Sequence, residues 1–235
     1  KKLYEHVAIA YEQLQIGEEE IRQNGELENG LVSIGASENA LRLVLLSRLE
    51  KFHEQYPHVR LRISNHSTPQ AIQALRSDIV DFAAVTTPLD IKSPLEKIPL
   101  ASYREILIGG RKYKKLAEHT QKLEDIASLP FISLDENSST RELYNSFFLE
   151  HGLSFAPDME TATTDQMLPL ITHNLGIGFY PKKMAELALT KGDVYQIPLE
   201  EKLPLRRIYL VTNGSTAKST AVRKMIKFIQ EYHKI

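Results

Sequence analysis

The chain contains no cysteine and no tryptophan. Without a thiol it can form neither a disulfide nor a thiolate metal site, and a reducing compartment, the cytoplasm, is the expected location. An excess of either charge is also missing: 29 Lys and Arg stand against 30 Asp and Glu, for a net charge of −1. That balance lacks the basic footprint of a dedicated nucleic-acid binder or of a polybasic membrane anchor. No apolar run approaches the roughly 20 residues needed to span a bilayer. The N-terminal stretch KKLYEHVAIAYEQL is amphipathic, unlike the apolar centre of a signal peptide. Templates for catalysis are absent as well. Gly35-Ala36-Ser37-Glu38-Asn39 lacks the second glycine of a nucleophile elbow, and there is no HExxH, no GxxxxGK[ST] and no His pair at ligand spacing. Gly176-Ile177-Gly178 lacks a third glycine and reads as a tight turn, while His53, His58, His66 and His119 sit in polar contexts and read as surface residues. No catalytic residue, metal ligand or cofactor is therefore expected, and the chain is not read as an enzyme.

What is present is a periodic pattern of helices and strands in 235 residues with an ordinary 42% hydrophobic content. Leu3, Val7, Ala10, Leu14 and Ile21 place one narrow apolar seam on a helix, with Tyr4 and Tyr11 on the same period. Such a seam suits a partner helix, or packing on the chain's own domain. Asn24-Gly25 and Asn29-Gly30 then stop the helix. From there strands and helices alternate. Leu31–Gly35 is a strand, followed by a helix with Leu41, Leu45, Leu49, Phe52 and Tyr56 on one face, ended by Pro57. Val59–Ile63 is the next strand, Thr68-Pro69 opens a helix, and Phe82–Val85 is a buried strand. This βαβαβ order implies a parallel sheet with helices on both faces. Residues 91–101, with Pro94 and Pro99, break the period and read as a connection between lobes. A second unit follows: strands at Glu105–Ile108, Pro130–Leu134, Glu160–Ala162, Gly176–Pro181 and Arg207–Val211, with helices from Ser139-Thr140 to Phe148, from Thr164 to His173, and through Val222, Met225, Ile229 and Tyr232.

Four of these helices begin with a hydroxyl residue just after a strand: Ser37, Thr68, Ser139 or Thr140, and Thr163 or Thr164. Each alone is an ordinary N-cap. As a set they mark helix N-termini gathered at the carboxyl ends of strands, where open α/β sheets bind ligands. Free N–H groups and the positive end of the helix dipole favour a small anion there.

In order and spacing the segments LLSRLEKFHEQYP (45–57), LRSDIVDFAAV (75–85), EILIGGR (105–111), LPFI (129–132) and NLGIGFYP (174–181), together with the strands Leu31–Gly35 and Val59–Ile63, resemble the effector-binding domain of LysR-type transcriptional regulators. The resemblance implies an α/β, two-lobed fold of the type 2 periplasmic-binding-protein kind, each lobe a mostly parallel sheet flanked by helices, preceded by an N-terminal linker helix. It places that helix at 1–28, the first lobe at 29–102 and 204–235, and the second at 103–203. It further implies a homodimer or homotetramer, no membrane, and a small-molecule effector between the lobes. By the same likeness the ligand-binding residues are Ser37, Asn39, Ser67, Thr68, Thr86 and Thr87 on one lobe, facing Ser139, Thr140, Thr163 and Thr164, with Phe179 closing the back. Family members carry a winged helix-turn-helix. About 25 residues before the first strand are too few for one, so DNA contact is expected only through an additional N-terminal domain. Two other readings share the scaffold. A transporter's solute-binding protein is disfavoured by the helix seam, and an enzyme would need an acid–base pair where only Glu38 and Asp165 stand near the expected cleft.

Overall fold

The computed structural model describes residues 30–232; the expected linker helix and its Leu3–Ile21 seam lie outside the described residues. The strand β1 (Leu31–Ala36) is buried along nearly its whole length. It pairs in parallel with β2 (Arg60–Asn65) on one side and β3 (Phe82–Thr86) on the other. The connecting helices are right for this role. α1 runs from Glu38–Ala40 through a π-helical stretch, Leu41–Leu45, into Leu46–Gln55. It turns the expected face to the sheet, burying Leu45, Leu49 and Phe52, with Leu41 and Tyr56 partly buried beside them. α2 (Thr68–Arg76) covers the opposite face with Ala71, Ile72 and Leu75. A strand covered on both faces can be apolar throughout, and all five residues of β3 are buried.

Residues 91–101 differ from the sequence expectation. Leu95–Tyr103 is a nine-residue strand, β4, at the edge of the first sheet. It pairs with β10 (Arg206–Asn213) across a bulge at Leu100, where the partner of Ile208 is Ala101 and that of Tyr209 is Pro99. Pro99 lacks an N–H and is compatible with a strand only at such an edge, so the prolines mark an exposed strand margin rather than the absence of a strand. The first sheet has the order β2-β1-β3-β10-β4, with β10 antiparallel to both neighbours. α7 (Thr220–Glu231) returns beside α1, with Phe228 set edge-on to Phe52 at 5.5 Å.

The second lobe is built around β5 (Glu105–Gly110), which lies between β8 (Ile177–Pro181) and β9 (Val194–Ile197) and is antiparallel to both. Each lobe is thus mostly parallel, as expected, with one reversed strand that makes its sheet mixed: β10 in the first lobe and β5 in the second. Apolar runs report burial but not strand direction, and β5 enters from the other lobe against the sense of its neighbours. β8, α6 (Lys182–Lys191) and β9 form one βαβ unit straddling it. β6 (Ile132–Leu134) and β7 (Met159–Thr161) pair in parallel beside β8, and α3 (Leu123–Ile126), α4 (Ser139–Glu150) and α5 (Thr164–Thr172) pack around them. Gly178 belongs to β8 rather than to a turn. A Cβ there would stand 2.8 Å from the Ile132 carbonyl oxygen, so the glycine admits the neighbouring backbone. An aromatic cluster of Phe131, Tyr144, Phe147, Phe148, Phe155 and Phe179 fills this lobe's core.

Candidate functional site

Each of the four hydroxyl-led helices starts where a strand ends. Ser37 follows β1 and caps α1, its Oγ accepting the Ala40 N–H at 3.3 Å. Ser138 caps α4 after β6; its Oγ accepts the Arg141 N–H at 3.1 Å and donates to the Asp135 carbonyl at 2.8 Å. Thr163 precedes α5 with extended backbone and no side-chain cap bond. The caps of α2 and α4 fall one residue earlier than expected, on Ser67 and Ser138. For α2 the reason is visible: the Ser67 N–H donates to the Gln70 carboxamide at 2.9 Å, a reciprocal arrangement that fixes Ser67 as the cap and makes Pro69 the second helical residue. Thr68 is thereby turned inward, and its hydroxyl donates to the Thr86 carbonyl at 3.1 Å.

These N-termini open on one cleft between the lobes. Ser37, Asn39, Ser67, Thr68 and Thr86 line it from the first lobe, and Ser139, Thr140, Thr163 and Thr164 from the second. Two expected residues lie elsewhere. Thr87 uses its hydroxyl to accept the Arg207 N–H at 3.0 Å. Phe179 is buried in the second lobe's aromatic core, its ring 4.9 Å from that of Tyr144, and does not line the cleft. The free volume at the centre of the cleft is about 30 Å³, room for one or two water molecules, so an organic ligand enters only if the lobes part.

Several lining residues escaped the sequence reading. Asn65 and His66 line the cleft directly before Ser67; their place at the end of β2 was the available signal, and His66 is half-buried rather than a surface residue. The Glu38 carboxylate, expected near the cleft, does line it, bound by Arg42 and by the Asn65 Nδ2 at 3.0 Å. At the floor Arg206 and Glu105 form an ion pair with side chains 0% and 2% exposed, two bonds of 3.1 and 3.0 Å from one guanidinium nitrogen. The other terminal nitrogen of Arg206 donates to Thr86 Oγ1 at 3.3 Å and Thr140 Oγ1 at 3.0 Å, one hydroxyl from each lobe. Burial works against the Arg206 charge, but Glu105 together with Tyr103 and Tyr144 outweighs it, and the guanidinium's pKa is raised above its ordinary value. Tyr103 lies beneath that guanidinium, 5.7 Å from ring centre to Cζ, and burial pushes its phenol up to about 12. No local pattern announces a pair 101 residues apart in the chain.

The arrangement offers neutral hydrogen-bond donors and acceptors, helix N–H groups, one imidazole and one carboxylate, that of Glu38, around a small space. Among the described residues no cluster of His, Asp and Glu has the spacing of a metal site, and no helix is long and apolar enough to cross a membrane.

The LysR substrate binding domain family model matches residues 25–234, nearly the whole chain. The chain belongs to this family. Among curated relatives of this LysR domain, the HTH-type transcriptional regulator YeiE of Escherichia coli (strain K12) is 22% identical over 89% of the chain and 71% of its own length. The "Probable RuBisCO transcriptional regulator" of Porphyra purpurea is 26% identical over 88% of the chain and 68% of its own. The LysR domain spans 59% of another such regulator, from Trichormus variabilis (strain ATCC 29413 / PCC 7937). In shape it matches the effector-binding domain of QuiR in complex with shikimate, at a TM-score of 0.75 and 19% identity, covering 87% of this chain and 97% of that one. The regulatory domain of CcmR from Synechocystis PCC6803 in complex with 2-PG matches at 0.75 and 14%, covering 85% and 95%. The LysR domain thus has the two-lobed type 2 periplasmic-binding-protein fold, with mixed sheets.

Proposed function

We propose that this LysR domain senses a small anionic metabolite in the interlobe cleft and passes its occupancy to a DNA-reading domain of a longer transcriptional regulator. One observation carries the reading: four hydroxyl-led helix N-termini, two from each lobe, open on the same small cleft. Helix N-termini present free N–H groups and a positive dipole end to an anion. The binding of shikimate by QuiR and of 2-PG by CcmR supports a small-molecule ligand of this kind. The division of the chain belongs to the same proposal: a linker helix at 1–28, a first lobe at 29–102 and 204–235, and a second at 103–203. So do a homodimeric or homotetrameric state, a cytoplasmic location and a role that is regulatory rather than enzymatic, as in the relatives named as transcriptional regulators.

The test is a thermal-shift screen of small metabolites, followed by calorimetry on every stabiliser. At a hundredfold excess over its Kd, a ligand of the folded state adds roughly 2.7 kcal/mol. Ala162 is exposed at the cleft, so Ala162→Trp fills the space without disturbing a core. The expected result is a stabiliser that binds the native chain and not Ala162→Trp, and more weakly Ser37→Ala, Thr68→Ala and Thr164→Ala. A stabiliser indifferent to all four variants refutes the site.

A further inference from the structure

We infer that the effector is a hydroxy acid carrying a single negative charge, its hydroxyl donating to Asn39 Oδ1; this rests on the cleft being the effector site. Asn39 stands in the first turn of α1, lines the cleft, and is 4% exposed. Its Nδ2 donates to the Tyr103 hydroxyl at 3.2 Å, which holds the carboxamide in place. Its Oδ1 is buried with no hydrogen-bond partner. A buried carbonyl oxygen without a donor is costly, and a ligand hydroxyl entering the cleft supplies one.

The charges set the other half of the class. The lining contains one carboxylate, Glu38, already held by Arg42 and Asn65. The cation at the floor, Arg206, is committed to Glu105. Among the described residues no lysine or arginine lines the cleft to pair with the ligand. One anionic group is accommodated by the N-terminal N–H groups of α1, α2, α4 and α5; a second would face Glu38 without a counter-ion. Polarity agrees: only Leu134 and Ala162 among the lining residues are apolar, which disfavours a greasy acid.

The experiment is calorimetric titration of the full chain with matched acids: glycolate against acetate, glycerate against propionate, quinate against cyclohexanecarboxylate, and tartronate and phosphoglycolate as more highly charged hydroxylated or phosphorylated probes. At least one hydroxy monoacid binds, with its deoxy partner and the multiply charged probes at least tenfold weaker. Asn39→Leu lowers the hydroxy acid to the affinity of its deoxy partner and leaves the deoxy acid unchanged. Tyr103→Phe removes the bond that fixes the Asn39 carboxamide and narrows the discrimination within each pair, and unchanged discrimination in it overturns the inference where Asn39→Leu does not fold. Equal affinity within each pair, tighter binding of the multiply charged acids, or discrimination that survives Asn39→Leu overturns the inference. If instead a neutral or apolar compound binds and is blocked by Ala162→Trp, the effector cleft stands and this assignment of its ligand falls. Binding indifferent to Ala162→Trp removes the cleft reading itself, and no binding by any compound removes both.

Discussion

Replacing Glu105 by Gln keeps the shape of the side chain and removes its charge from a place where that charge has one partner. Arg206 is 0% exposed and stays cationic, because its intrinsic pKa is far above any working pH. It would keep Thr86 and Thr140, but two neutral hydroxyls do not balance a desolvated guanidinium. Removing one member of a buried pair costs about 3–5 kcal/mol. For a chain of this size each kcal/mol lowers Tm by about 2–4 °C, so Glu105→Gln falls by roughly 6–20 °C. The double variant Glu105→Leu with Arg206→Met removes both charges and the desolvation they require, and recovers at least about 2 kcal/mol relative to the single variant. Urea unfolding followed by circular dichroism, with calorimetric Tm, measures both. A Glu105→Gln protein within about 1 kcal/mol of native, or a double variant no more stable than the single, refutes the argument that an uncompensated charge is what matters.

Gly110→Ala places a Cβ 2.3 Å from the Ile171 carbonyl oxygen and 2.6 Å from Asn174 Oδ1, and costs roughly 1–3 kcal/mol or more by overpacking. Gly152→Ala meets nothing within 4 Å and costs only about 1 kcal/mol for its φ of +74°, so denaturant midpoints that reverse this order would contradict the structure. Ser37→Ala and Ser138→Ala each lose a cap bond worth about 1 kcal/mol, whereas Thr163→Ala, with no such bond to lose, stays within about 0.5 kcal/mol in the same unfolding assay. Burial holds the Tyr103 and Tyr180 phenols neutral up to about 12, while unfolded tyrosine ionises near 10. Their stabilisation is present in full below pH 10 and is lost as pH rises from about 10 to about 12; stability measured across that window falls less steeply in Tyr103→Phe. Leu46 is 52% exposed on α1, and if the proposed homodimer uses that face, Leu46→Glu shifts the sedimentation coefficient toward the monomer at micromolar concentration.

Elements whose signal is local were legible in the sequence. α1 showed its buried face through the spacing of Leu45, Leu49 and Phe52, and β3 through an unbroken apolar run. β9 and α6 were missed, although Gly192, in the left-handed conformation at the end of α6, marked the stop. Strand direction was legible where βαβ links run in series, as in β1, β2 and β3, but not at β5, whose antiparallel setting depends on where β8 and β9 return. At the cleft, helix-capping hydroxyls were readable because Ser and Thr are favoured where strands give way to helices. The floor was not. Glu105 and Arg206 look like ordinary charged residues flanking strands, and only the folded chain brings them within 3.0 Å. Phe179 illustrates the converse: its neighbourhood in sequence resembled a ligand-facing turn, but the rings of Phe131, Tyr144, Phe147 and Phe148 offered it a drier place.

The position of β10 has a consequence for how the chain is made. The strand lies between β3 and β4, yet it is the last strand among the described residues; Arg206 and its bonding partner Thr86 are 120 residues apart. During synthesis at roughly 5–20 residues per second, β3 and β4 therefore wait several seconds with a strand-wide gap between them. Over that interval β5 through β9 emerge as one uninterrupted segment that needs nothing from later residues to pair its own strands. Of the two lobes, the one begun first is thus completed last, and the slot between β3 and β4 stays open to mispairing until β10 emerges.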